Sequence, residues 1–144
     1  MGDKLNKKHV FITGAAAGIG RQLSLDLGLK EGCRLTLLDR DLEGLKQVAA
    51  ALEAGGHAGP RPRLLRCDVT SPPELEAALA TTGDGPLDIL INSAGIFYSG
   101  SFEGMNMEDF ARVIDVDLMG TIRITSARCP AYGAPSSTSP HWQG

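Results

Sequence analysis

The sequence contains no apolar run approaching the roughly 20 residues that a bilayer-crossing helix requires. The first eight residues, Met1-Gly2-Asp3-Lys4-Leu5-Asn6-Lys7-Lys8, carry charges with no apolar stretch behind them, which does not fit a secretory leader. Asn6 stands where a myristoylation signal needs Ser or Thr. Cysteine is scarce: Cys33, Cys67 and Cys129 have no metal-ligand spacing, so no metal site is expected. Cys33 and Cys67 read as small buried apolar residues. Neither sign of charge dominates, and a net charge of −3 argues against nucleic acid or an anionic membrane surface as partner. The expected compartment is the cytoplasm. Lysine stops at Lys46, and tyrosine is limited to Tyr98 and Tyr132.

What is present is one domain's worth of alternating signals. A chain of 144 residues with 42% apolar content can bury a useful core. Short apolar runs predict strands at Lys8–Thr13, Arg34–Asp39, Arg63–Cys67 and Leu87–Asn92. Between and after them the spacing predicts helices at Gly18–Lys30, Leu42–Glu53, from Thr70 or Ser71 onward, and at Met107–Thr125. The first helix has Ile19, Leu23 and Leu27 at helical spacing, with Gly28 marking a frayed end. The second has Leu45, Val48, Ala49 and Leu52. The third turns Leu75, Ala78 and Leu79 inward, opened by Pro72 and a capping box closed by Glu74. The fourth has Phe110, Val113, Ile114, Leu118 and Ile122 as its buried side. Four βα units in a row imply an α/β fold with a parallel sheet, strand order 3-2-1-4 and right-handed crossovers. Gly55 to Pro62 reads as an exposed loop. From Cys129 onward there is no periodicity and no charge, and an irregular tail is expected over 128–144.

Thr13-Gly14-Ala15-Ala16-Ala17-Gly18-Ile19-Gly20 carries the most chemistry. It lies between a strand and a helix, where glycines let backbone N–H groups approach a pyrophosphate and the helix N-terminus adds partial positive charge. Asp39, at the end of the next strand, completes the context of a dinucleotide fingerprint.

Together these pieces resemble the short-chain dehydrogenase/reductase family over about Lys7 to Ala127. Thr13–Gly20 fits its TGxxxGxG turn, Asp68-Val69 the D-V after strand three, and Asn92-Ser93-Ala94-Gly95 the N-[AS]-A-G after strand four. Val113 to Thr121 sits where the family writes V-N-L-x-G, with Asp117 in place of Asn. The resemblance implies a Rossmann-type doubly wound sheet over 1–127 holding a nicotinamide dinucleotide. In that reading Thr13, Gly14, Gly18, Ile19 and Gly20 form the pyrophosphate turn and Asp39 accepts the adenosine ribose hydroxyls. Asp68 and Val69 contact the adenine, while Asn92, Ala94 and Gly95 line the cleft beside the cofactor. Structural roles stand beside these: turn geometry for the glycines, a helix cap for Asp68. A carboxylate at Asp39 favours NAD; Arg40 beside it keeps NADP as the lesser alternative.

The family's catalysis uses a Ser and a Tyr-x-x-x-Lys on a fifth strand and helix. No Tyr-x-x-x-Lys can be written here: Tyr98 is followed by Phe102 and Tyr132 by Ser136. Ser136, Ser137 and Ser139 lie in a Pro-rich stretch, so no catalytic residue is assigned. The sequence therefore reads as the cofactor-binding half of an NAD(P)-dependent alcohol/carbonyl oxidoreductase, truncated and without activity of its own. The alternatives are a non-catalytic NAD-binding module or regulatory partner of a full-length reductase, or a splice or frameshift product without function. Family members are usually homo-oligomers, but the fifth-helix interface is missing, leaving an apolar strand-four edge and helix-four face open. Ile96 to Phe102 is apolar enough to wall a lipid-like or steroid-like substrate, and equally suited to loop packing.

Overall fold

The computed structural model describes residues 5–82 and 87–129. Four strands, β1 (His9–Thr13), β2 (Arg34–Asp39), β3 (Arg63–Arg66) and β4 (Ile89–Asn92), form one parallel sheet in the order β3-β2-β1-β4. Each predicted strand is present, β2 with the predicted bounds and the other three shorter at one end by one or two residues. The irregular tail expected over 128–144 lies, from residue 130 onward, outside the described residues.

Alternation along the strands builds two cores, because successive side chains point to opposite faces. Val10, Ile12, Leu35 and Leu37 face α1 (Gly18–Leu29) and α2 (Leu42–Ala54), whose Leu45, Val48 and Leu52 are fully buried. Phe11, Leu38 and Leu65 face the other way, toward Leu75 of α3 (Pro72–Ala80) and Ile124. Helices on both faces of a parallel sheet give the doubly wound, Rossmann-type arrangement expected. Among the described residues β4 pairs only with β1, and its strand is half-exposed rather than covered on both faces.

The α1 face differs from its sequence pattern. Gly20, Ser24 and Gly28 are the buried residues, while Ile19 is 75% exposed. A stripe of small residues lets the α1 backbone sit close to the sheet and to α2. At Gly28 a Cβ would overlap Leu52, so this glycine serves close packing and not a frayed end.

The last helical stretch is three segments: α4 (Met107–Val113), a π-helical turn (Ile114–Gly120) and α5 (Thr121–Arg128). A π-helical turn is wider than an α-turn and rotates the side chains that follow it. Most of the predicted buried side is exposed. Val113 is half-buried, but Phe110, Ile114, Leu118 and Ile122 are 37–51% exposed, and the residues that turn inward are Val116, Gly120 and Ile124. An apolar stripe on a helix is ambiguous when a second one lies beside it, and the π turn selects between them.

The start of α3 is also held differently. Ser71 is the N-cap but makes no side-chain cap bond. Instead Asp68 Oδ1 accepts from the Thr70 N–H at 2.9 Å and the Thr70 hydroxyl at 2.8 Å, and Glu74 accepts from the Asp68 N–H at 3.1 Å. The expected capping box is therefore not formed: Glu74 reaches back past the N-cap to Asp68, and the Asp68 carboxylate holds Thr70 in place of the Glu74 N–H.

Candidate functional site

The carboxyl ends of the strands open onto a cleft of about 960 Å³, where a doubly wound sheet reverses its strand order. Gly14, Gly18, Ile19, Asp39, Asp68, Val69, Ala94 and Gly95 all line it. Thr13, Gly20 and Asn92 lie behind that surface and act on its shape.

Thr13 joins the two central strands. Its hydroxyl accepts from the Ser93 and Ala94 N–H groups, each at 3.1 Å, fixing the loop after β4 against the loop after β1. Gly14 follows with a φ of +64°, and a Cβ there would lie 2.6 Å from the Ser93 carbonyl oxygen. At Gly20 a Cβ would overlap the Gly14 carbonyl, so Gly20 closes the turn on itself. Asn92 donates from Nδ2 to the Thr125 hydroxyl at 3.1 Å, tying β4 to α5.

Gly18 is different. Its φ is +53°, yet a Cβ would meet nothing within 4 Å. The space above it is cleft, which a side chain would fill. Behind it, α1 has no acidic residue in its first turn and no side-chain cap at Ala17. Its first N–H groups therefore lack intrahelical partners and face the cleft mouth as a site for negative charge.

Asp39 holds this turn from the next strand. Oδ2 accepts from the Ala16 N–H at 3.0 Å and Oδ1 from the Asp41 N–H at 3.0 Å. Asp41 in turn caps α2, accepting from the Gly44 N–H at 3.0 Å. Each Asp39 oxygen keeps a second lone pair for a further donor.

On the opposite wall stand Asp68 and Val69. The Thr70 N–H holds the Asp68 carboxyl below its ordinary value of 3.8; burial opposes this, and the Thr70 hydroxyl, Arg40 and Arg112 support it. A depressed folded pKa means stability that is present above the unfolded value and lost as pH falls through the folded one. Asp68→Asn keeps the acceptor oxygen but removes the titration. It is expected to flatten the acid limb of stability that the parent shows below about pH 5, as checked by urea denaturation across pH. Equal slopes in the two proteins would contradict this. Cys67, beside Asp68, has its thiol pushed up to about 11 by burial, helped by the nearby carboxylates Glu74 and Asp68. It is a packing residue, as its sequence context suggests.

Asp117 departs from the family's Asn and still fixes the loop after β4, accepting from the Ile96 N–H at 2.8 Å. Phe97 is 87% exposed and Phe102 76%, with Phe102 meeting Phe110 edge-on at 5.9 Å. Asp115 and Val116, from the stretch that matches V-N-L-x-G, line the cleft although no site role was expected of them. Arg112 lines it too, and Arg123 lies behind them; neither carries a motif signal. Only Asp41, directly before an amphipathic run, has a local signature that sequence reading could have used.

A parallel sheet wound on both faces, with a glycine turn and an acidic residue at its switch point, defines a Rossmann-like α/β protein. The short chain dehydrogenase family model matches residues 8–137, and the chain belongs to that family of oxidoreductases. It is 32% identical to galactitol 2-dehydrogenase of Agrobacterium fabrum over 86% of this chain and 46% of that protein. Among solved structures it resembles a short-chain type dehydrogenase/reductase from Mycobacterium marinum, with a TM-score of 0.77 and 31% identity, covering 86% of this chain and 49% of that one. It also resembles a 3-oxoacyl-[acyl-carrier protein] reductase with bound NAD from Brucella melitensis, with a TM-score of 0.77 and 30% identity, covering 87% and 48%. The chain thus spans about half the length of the relatives it matches. Among the described residues no helix is long and apolar enough to cross a membrane, and no cluster of three or more metal-ligating side chains occurs.

Proposed function

We propose that this chain holds a nicotinamide dinucleotide, NAD in preference to NADP, in the cleft at the carboxyl ends of its strands. The observation that carries the reading is Gly18: a left-handed glycine with open space above it, at the uncapped start of α1, with Asp39 holding the turn from behind. The N–H groups of Gly18, Ile19 and Gly20 receive the pyrophosphate. Asp39 offers its remaining lone pairs to the adenosine ribose hydroxyls, and its negative charge disfavours a 2′-phosphate. Asp68 and Val69 form the adenine wall, and Ala94 and Gly95 the floor toward the nicotinamide. The bound group supplies a carbon that exchanges hydride with an alcohol or carbonyl substrate.

The 144 residues contain no Tyr-x-x-x-Lys to move the hydroxyl proton. That absence favours binding without turnover, as in a module that pairs with a full-length reductase. Calorimetry with NAD and NADP, together with a turnover assay on a panel of alcohols, tests both parts. NAD is expected to bind about tenfold more tightly than NADP, with no turnover by the chain alone. Failure to bind either dinucleotide would overturn the reading, and turnover would overturn its second part.

A further inference from the structure

We infer that Arg123 is a positioning residue for the adenine end of the cleft, acting through Val69 and Asp115 without facing the cleft itself; this rests on the dinucleotide reading above.

Three contacts carry it. Arg123 donates from one guanidinium nitrogen to the Val69 carbonyl at 3.2 Å and to the Asp115 carbonyl at 3.4 Å. Its other terminal nitrogen meets Asp115 Oδ1 at 2.7 Å. Val69 and Asp115 both line the cleft, from different elements: one follows β3, the other sits in the π-helical turn. One planar fork therefore ties two walls of the cleft together, which a point charge on a flexible stem cannot do as well. The side chain of Val69 rests on the same π-helical turn. At Gly120 a Cβ would lie 2.7 Å from Val69 Cγ2, so the glycine allows this seat and the guanidinium fastens it.

Charge points the same way. The cleft is lined by the carboxylates Asp39, Asp41, Asp68 and Asp115, and by the cations Arg40 and Arg112. A ligand carrying phosphates enters against that excess of negative charge. Arg123 compensates Asp115 from behind, at a pair whose side chains are 24% and 42% exposed. Without Arg123, Val69 loses its anchor and Asp115 faces the ligand uncompensated.

The test measures binding of NAD, 5′-AMP and nicotinamide mononucleotide to the 144-residue chain, to R123M and to R123K, with melting temperatures for each. For R123M, affinity for 5′-AMP and NAD is expected to fall about tenfold, within the range that residues acting through others reach. Affinity for nicotinamide mononucleotide should stay unchanged. R123K should recover part of the loss, since it keeps the charge and one donor nitrogen but not the two-nitrogen fork. Equal 5′-AMP affinity in R123M and the parent would overturn the inference, as would a uniform loss for all three ligands. If R123M does not fold, R123K decides: a loss of about threefold for 5′-AMP alone supports the role, and parental affinity overturns it. A parent that binds neither NAD nor 5′-AMP overturns the dinucleotide reading and this inference with it, a result distinct from a parent that binds and variants that match it.

Discussion

Replacing Gly14 with valine is expected to cost the chain about 3 kcal/mol of stability, a large share of what a domain of this size possesses. Two effects add. The φ of +64° at Gly14 lies in the left-handed region, where an L-residue, and a β-branched one above all, is strained by about 1–2 kcal/mol. The new Cβ would also stand 2.6 Å from the Ser93 carbonyl oxygen and 2.7 Å from the Ala94 N and Cα. These are backbone atoms, and they cannot swing aside as a side chain would. Thr13 holds them, because its hydroxyl accepts from both Ser93 and Ala94. Relief requires parting the ends of β1 and β4, which are paired through Thr13 and Asn92. Urea denaturation measures the difference, and a loss under about 0.5 kcal/mol, the size of an ordinary surface substitution, would show that the two loops are not locked as described.

Gly18→Val is expected to have the opposite profile. Its Cβ meets nothing within 4 Å, so only the strain of a φ of +53° bears on folding, about 1–2 kcal/mol. The branched side chain then occupies the space above the first N–H groups of α1. Affinity for NAD should fall by about a hundredfold or more, since a pyrophosphate can no longer reach those donors. Calorimetry beside a melting curve separates the two quantities. A variant that melts near the parent and binds NAD equally well would remove the glycine turn from the cofactor site. Taken as a pair, the two glycines divide the turn: one is required by its neighbours in the fold, the other by the space it leaves open.

The strand order and the two-faced core were legible because alternation along β1 and β2 is a local property, and because parallel strands need helical crossovers. The glycine turn and the place of Asp39 beside it were legible for the same reason, since strand, turn and helix follow one another within about thirty residues, the length of a βαβ unit. Helix faces were less so. Of the Ile19, Leu23, Leu27 pattern, Leu23 and Leu27 pack against the core and Ile19 is exposed, while Gly20, Ser24 and Gly28 make the closest contact, because close approach to the sheet rewards small residues over large ones. The α4 to α5 stretch bears apolar residues all round, and the π-helical turn decides which of them turn inward. Arg123 could not be found from sequence: its partner Val69 is 54 positions away, and no local spacing marks the pair. Arg112 lines the cleft for a similar reason, carried there by the packing of α4 and not by any motif.

Asp39 has a kinetic consequence. Both of its carboxylate oxygens already hold backbone N–H groups, at Ala16 and at Asp41. The shape of the glycine turn is therefore held by the protein's own bonds, without a ligand. That turn does not have to order on encounter, so association of a dinucleotide is expected at a rate set mainly by diffusion and orientation, nearly constant among variants of the cleft walls. Differences in affinity between such variants would then reside in how long the ligand stays. A change at Asp39 itself should be the exception and slow arrival as well, because a slack turn must be gathered each time.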